Sequence, residues 1–216
     1  MNLRVSCNRV FQQQGMYEKA LEWYRRTLNG MEQTVGMDHP STLATVHNIA
    51  RVFKEQEHYE KALEWNQRAI DCMEKTLGKD HAQTLRTIHN MVEVFQQERK
   101  YEEALEWYRR ALDGKEKIFG KDHLDTLETV NSMAYVFHMK RQYEKALEWY
   151  QRALQGKEKT LGSDHLSTLT TVHNMASLFR EQGLYDKALE WYRRALHGTE
   201  RTLGRTTHKP SAPSAT

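Results

Sequence analysis

Tryptophan recurs in this chain at a fixed 42-residue interval, at Trp23, Trp65, Trp107, Trp149 and Trp191. Tyr17, Tyr59, Tyr101, Tyr143 and Tyr185 keep the same step, and so do Gly36, Gly78, Gly120, Gly162 and Gly204. Three ladders in register describe one structural unit repeated five times. A unit this small cannot bury its apolar face alone and must stack on copies of itself.

Within a unit, Leu43, Val46, Ile49, Ala50 and Phe53 follow helical spacing. After a short break they are followed by Tyr59, Ala62, Leu63, Ala69, Ile70, Met73 and Leu77 at the same spacing. Each unit is therefore read as two amphipathic helices, and the fold class as all-α. Asp38, Asp80, Asp122 and Asp164, each followed by a histidine, are expected to cap the first helices by accepting from free backbone amides. Gly78 and its equivalents suit the left-handed position that ends a helix.

Gly30, Gly114, Gly156 and Gly198 fall inside the second helices, where glycine costs about 1 kcal/mol against alanine. The expectation is that the following unit's backbone crosses there, with Cys72 a small buried substitute in the second unit. The turn between the two helices has Gly15 and Gly183 in the outer units but Glu57, Arg99 and Arg141 in the middle ones.

Composition excludes several classes. The 32 basic and 29 acidic residues alternate along the chain, so the small positive balance does not mark a nucleic-acid surface. No apolar run approaches the roughly 20 residues of a membrane helix, and no secretory signal opens the chain, so the expected location is the cytoplasm. Cys7 and Cys72 have no CxxC or Cys/His spacing, which argues against a disulfide framework or a zinc site. Equivalent Asp-His steps on packed helices about 8–10 Å apart do not converge on one ion. No nucleophile and base stand at a recognised spacing, and no phosphate loop of the form GxxxxGK occurs, so neither catalytic residue, cofactor nor metal is expected.

The segments TLATVHNIARVF, YEKALEW and LGKDH resemble the tetratricopeptide repeat, and the 42-residue length resembles the kinesin light chain subclass. Repeats reading EALEWYRRAL with GKEKTLG after them are also similar to fungal multi-repeat proteins. The resemblance covers residues 10 to 204 and implies a right-handed α-α superhelix of about five hairpins. The units run about 1–36, 37–78, 79–120, 121–162 and 163–204, with 205–216 read as a disordered tail. The first unit is degenerate: aligning Phe11 with Phe53 sets Asn8 where Ala50 stands and Ser6 where Asn48 stands.

The resemblance further implies a protein-binding scaffold whose first helices line a groove for a partner's segment. It places Asn48, Asn90 and Asn174 at the family's peptide-contacting asparagine, where an amide offers both donor and acceptor to a peptide bond. The fourth unit departs, with Ser132 there and Asn131 one residue earlier. Beside the asparagines stand His47, His89 and His173. Arg51, Lys54 and Arg180 come one or two turns further along, and Arg86 one turn back. This basic set predicts an acidic partner segment, diluted by Glu55, Glu93 and Glu128. The alternative is a repeat module that assembles or regulates a larger protein without a groove ligand. Unpaired repeat ends would let such a module self-associate. The tryptophans read as structural, partly buried against the neighbouring hairpin.

Overall fold

The computed structural model describes residues 16–207. Within them lie nine helices and no strand: α1 (Tyr17–Thr34), α2 (Pro40–Glu55), α3 (Tyr59–Thr76), α4 (Ala82–Gln97), α5 (Tyr101–Phe119), α6 (Leu124–Met139), α7 (Tyr143–Leu161), α8 (Leu166–Glu181) and α9 (Tyr185–Thr207). The chain divides into two compact units at Lys115 and Glu116. In the first, α1 packs on α2, α2 on α3 and α3 on α4. In the second, α6 packs on α7, α7 on α8 and α8 on α9, and the first helices α6 and α8 touch each other. Helix α1 is the second helix of the first hairpin. The residues expected to supply its partner, with Cys7, Phe11 and Gly15, lie outside the described range.

Most of the apolar spacing read from the sequence is buried, although Tyr59 and Leu63 are only half-buried and Leu77 is exposed. Leu43, Val46, Ile49, Ala50 and Phe53 of α2, with Ala62, Ala69, Ile70 and Met73 of α3, are all inside, and the same ladder repeats in α4 and in α6 to α8. Ala62, Ala104 and Ala146 are fully buried, and their small size lets the paired helices approach.

The caps correct one expectation. The residue that opens each first helix is the histidine, not the aspartate before it. His39, His81, His123 and His165 have extended backbone, and each Nδ1 accepts from the amide two residues on at 3.2 Å. Three of the aspartates instead reach sideways to the second helix of their own hairpin: Asp38 meets Cys72, Asp122 meets Lys159 at 2.6 Å, and Asp164 meets Arg201 at 2.7 Å. A buried threonine closes the same loop, since Thr42, Thr84, Thr126 and Thr168 each donate to the carbonyl of the glycine six residues before.

Those glycines, Gly36, Gly78, Gly120 and Gly162, have φ between +88° and +99° and end their helices as expected. Gly204 does not, because α9 runs on through it to Thr207. Three residues of the segment read as a tail are thus helical, and 208–216 lie outside the described range. The glycines inside the second helices also have a different cause from the expected backbone crossing. A Cβ on Gly156 or Gly198 would collide with Leu127 or Leu169, the leucine of the first helix of the same hairpin, and one on Gly114 would sit tightly at 3.0 Å from both Leu85 and Asp80 Oδ1. Cys72 stands at that place in the second hairpin, half-buried, with its Sγ donating to Asp38 Oδ1 at 2.6 Å. Burial and that carboxylate push its thiol up to about 11, so it is not a reactive thiolate.

Successive second helices are tied by a charge ladder that was not foreseen. Arg68, Arg110, Arg152 and Arg194 pair with Glu32, Glu74, Glu116 and Glu158 of the preceding second helix. Each guanidinium also lies 5.0–5.6 Å from the centre of the tryptophan ring three residues before it. The tryptophans are half-buried, apart from the more exposed Trp23. Trp149 and Trp191 face Phe137 and Phe179 of their own hairpins at 6.3 and 6.1 Å, so their cover comes from within the hairpin as well as from the arginine.

Candidate functional site

In the first unit, α2 carries His47, Asn48, Arg51 and Lys54, and α4 carries Arg86, His89, Asn90 and Glu93. Positions 47, 51 and 54 recur at helical spacing and so share one face. The same holds for 86, 89, 90 and 93. Two contacts join these faces: Asn90 Nδ2 lies 2.9 Å from His47 Nδ1, and Lys54 Nζ donates to Glu93 Oε2 at 2.7 Å. Arg51 Nε is 3.8 Å from Glu55, and His89 Nε2 is 3.6 Å from Glu93. Asn48 is half-buried and Arg86 exposed.

Four expected residues, His47, Asn90, Lys54 and Arg51, line one small cavity of about 80 Å³ with Ala50, Asn66, Glu93 and Val94. Asn48, Arg86 and His89 are not among its lining. Burial holds the His47 imidazole below its usual value, and the charges of Arg51, Arg86 and Lys54 act in the same direction against Glu93 alone. The potential at this ring is therefore positive, even though Glu93 and Glu55 each engage one of the cations.

Asn66 was missed. It is on α3, 2% exposed, and its Oδ1 has no hydrogen-bond partner. The signal was in the sequence as a broken ladder: Tyr24, Tyr108, Tyr150 and Tyr192 occupy this position in the other hairpins, one residue after the tryptophan. Where tyrosine is present it fills the interior. Tyr108 has its ring centre 6.2 Å from that of His89. In hairpin two the shorter amide stops short, and the cavity is the space left over.

In the second unit, α8 carries His173, Asn174 and Arg180. The His173 ring meets Tyr192 edge-on at 5.2 Å, Asn174 is half-buried, and Arg180 is exposed. Tyr192 Oη is 2.9 Å from Ser177 Oγ, so the tyrosine fills in this hairpin the place that Asn66 leaves open in the second. On α6, Ser132 holds the asparagine position half-buried, and Asn131 is buried at the position equivalent to His47. Glu128 does more than dilute charge: it pairs with the buried Lys157 at 3.1 Å and accepts from Ser167. Lys157 also donates to Thr171 Oγ1 at 3.2 Å.

Among the described residues no three His, Cys, Asp or Glu side chains are grouped to hold a metal ion, and no helix is long and apolar enough to cross a membrane.

Comparison with solved structures places this arrangement in known company. A kinesin light chain-like protein of Podospora anserina, made of nearly identical tetratricopeptide-like repeats, superposes with a TM-score of 0.78 at 23% identity. That match covers 93% of this chain and 94% of the other. BtubC (BKLC) of P. vanneervenii matches with a TM-score of 0.77 at 19% identity, covering 97% of this chain and 82% of that one. MamA of Desulfovibrio magneticus RS-1 matches less closely, with a TM-score of 0.61 at 12% identity over 93% and 94% of the two chains. At these identities the likeness is one of fold, and it is the all-α repeat solenoid expected from the sequence. Comparison with curated proteins gave no sequence match. The tetratricopeptide repeat profile matches residues 9–75, 61–117, 83–159 and 125–200, in overlapping steps along nearly the whole chain. The chain therefore belongs to the tetratricopeptide repeat family, whose repeats are in general protein–protein interaction modules.

Proposed function

We propose that this protein is a non-enzymatic cytoplasmic scaffold that binds an acidic segment of a partner protein along the first helices of its hairpins. The observation that carries this reading is the positive surrounding of His47, where Arg51, Arg86 and Lys54 outweigh Glu93. Cations beside half-buried amides give a partner backbone its hydrogen bonds and a partner carboxylate its counter-charge. Arg180 adds a further exposed cation on α8. Nucleic acid and membrane have no part in this reading. Panning a peptide display library against the full chain tests it. Acidic peptides should be enriched, and the charge reversals Arg86→Glu and Arg180→Glu should weaken them while leaving the helix content unchanged. Enrichment without acidic bias, or affinities indifferent to both reversals, would sink it.

A second reading, assembly of the repeats on one another, is supported by α9. Leu196 is 56% exposed there, whereas its counterparts Leu112 and Leu154 are 6% and 5% exposed. Tyr185 and Leu189 extend the same apolar stripe. Light scattering across a concentration series separates the readings, because a constant monomer mass rules out assembly through this face.

A further inference from the structure

The cavity in hairpin two has a definite origin. At one position of the second helix, Tyr24, Tyr108 and Tyr150 are buried, each at 3% exposure or less, and only hairpin two substitutes an asparagine. An apolar hole left by a missing ring would be dry and costly. This one is instead bordered by His47, Arg51, Lys54, Asn66, Asn90 and Glu93. Asn66 is almost fully buried, yet no group among the described residues satisfies its Oδ1. A buried amide with an unused polar atom beside a lined space points to an occupant.

The charge around the space selects that occupant. Lys54 and Arg51 bring cationic donors, Glu93 pairs with Lys54 and Glu55 lies 3.8 Å from Arg51, and Arg86 beside them leaves the balance of charge positive. Because Asn66 Oδ1 has no partner among the described residues, the amide can turn its N–H₂ toward an acceptor. A cavity of about 80 Å³ has room for the end of a side chain. We propose that this cavity anchors one aspartate or glutamate side chain of the bound segment, its carboxylate accepting from Lys54 and from the turned Asn66 amide in the place where other hairpins hold a tyrosine. Lys54 is then shared between the incoming carboxylate and Glu93. This rests on the reading that the first helices receive an acidic segment, and it names where that segment is fixed.

The test uses the full chain and acetate, the carboxylate end of such a side chain, followed by NMR at the Asn66 side-chain amide and the His47 ring. Saturable shifts centred on these two groups are expected with acetate and not with chloride at the same ionic strength. Asn66→Tyr restores the residue of the other hairpins and fills the space, and Asn66→Asp places a fixed carboxylate in it. Both should keep the wild-type helix content, and both should abolish the acetate response. No saturable response in the wild type, or a response that survives Asn66→Tyr, means a cavity that holds water alone and overturns the proposal. Peptides from the display experiment separate the two levels of the argument. Acidic peptides that bind Asn66→Tyr as tightly as the wild type remove the anchor but leave the surface standing. An acetate response without any acidic peptide bound leaves the anchor and removes the surface. The expected result is a loss of roughly tenfold or more in peptide affinity in Asn66→Tyr.

Discussion

Asn90 Nδ2 donates to His47 Nδ1 across 2.9 Å, and this bond requires the imidazole to be neutral. Burial, then Arg51, Arg86 and Lys54, hold the His47 pKa below its ordinary 6.5 in the folded chain. The unfolded chain therefore takes up the proton first as the pH falls. Above the ordinary value the group has no effect on stability, and below it stability is lost until the folded-state pKa is passed. Urea midpoints measured at about pH 7.5 and about pH 5.5 should fall further for the wild type than for His47→Gln, which keeps an acceptor but cannot titrate. Equal falls would mean that His47 is not held neutral.

The ladder of second helices makes a separate prediction. Arg110 pairs with Glu74 while its guanidinium sits 5.0 Å from the Trp107 ring centre, and the two side chains are only 33% and 21% exposed. An exposed ion pair couples by about 0.2–1 kcal/mol, and this one is held by the ring as well. A double-mutant cycle with Arg110→Ala and Glu74→Ala should return a coupling near the top of that range. Arg110→Ala should cost more than Glu74→Ala, because it also uncovers the tryptophan.

The histidine caps are open to a direct comparison. His81→Ala removes the acceptor for the Gln83 amide and should cost about 1 kcal/mol. Asp80→Ala leaves that bond in place, so if the aspartate were the cap the order of the two losses would be reversed. Thermal melts of both variants decide between them.

Two glycines at equivalent positions should respond with opposite sign. A Cβ on Gly156 would run into Leu127, so Gly156→Ala should destabilise by about 1–3 kcal/mol. Among the described residues nothing lies within 4 Å of the place a Cβ on Gly30 would take, so Gly30→Ala should gain up to about 1 kcal/mol of helix propensity. Melting temperatures that move the same way in both would contradict the leucine contact.

Features that act within one repeat were readable from spacing, and those that depend on a three-dimensional neighbour were not. The apolar ladder named the buried face because a helix turns by a fixed angle per residue, whatever surrounds it. Asp and His recur in step, so periodicity could not say which of the two caps the helix; that is decided at the loop, where each histidine's Nδ1 takes the amide two residues on while Asp122 and Asp164 reach Lys159 and Arg201. Glu74 and Arg110 are 36 residues apart, a distance that has no meaning along one helix and appears only once hairpins stack. Asn66 was legible in principle as the one break in a tyrosine column. Its consequence, a lined space, needed the positions of His47 and Lys54 on another helix.

The turns between the paired helices provide the last test. Glu57, Arg99 and Arg141 have φ of 60°, 59° and 58°, the left-handed region that Gly183 occupies in the last hairpin at 77°. The amide following each reaches back to a phenylalanine carbonyl, His58 to Phe53, Lys100 to Phe95, Gln142 to Phe137 and Leu184 to Phe179, so all four close in one geometry. A side chain in that region costs about 1–2 kcal/mol, and glycine loses part of the difference again through its freer unfolded chain. Arg99→Gly should consequently be neutral or stabilising by up to about 1 kcal/mol. Each of the three middle turns belongs to its own hairpin, so Glu57→Gly, Arg99→Gly and Arg141→Gly should add in a triple variant. A melting temperature for the triple below that of the wild type would show that the exposed side chains contribute more than the backbone strain they carry.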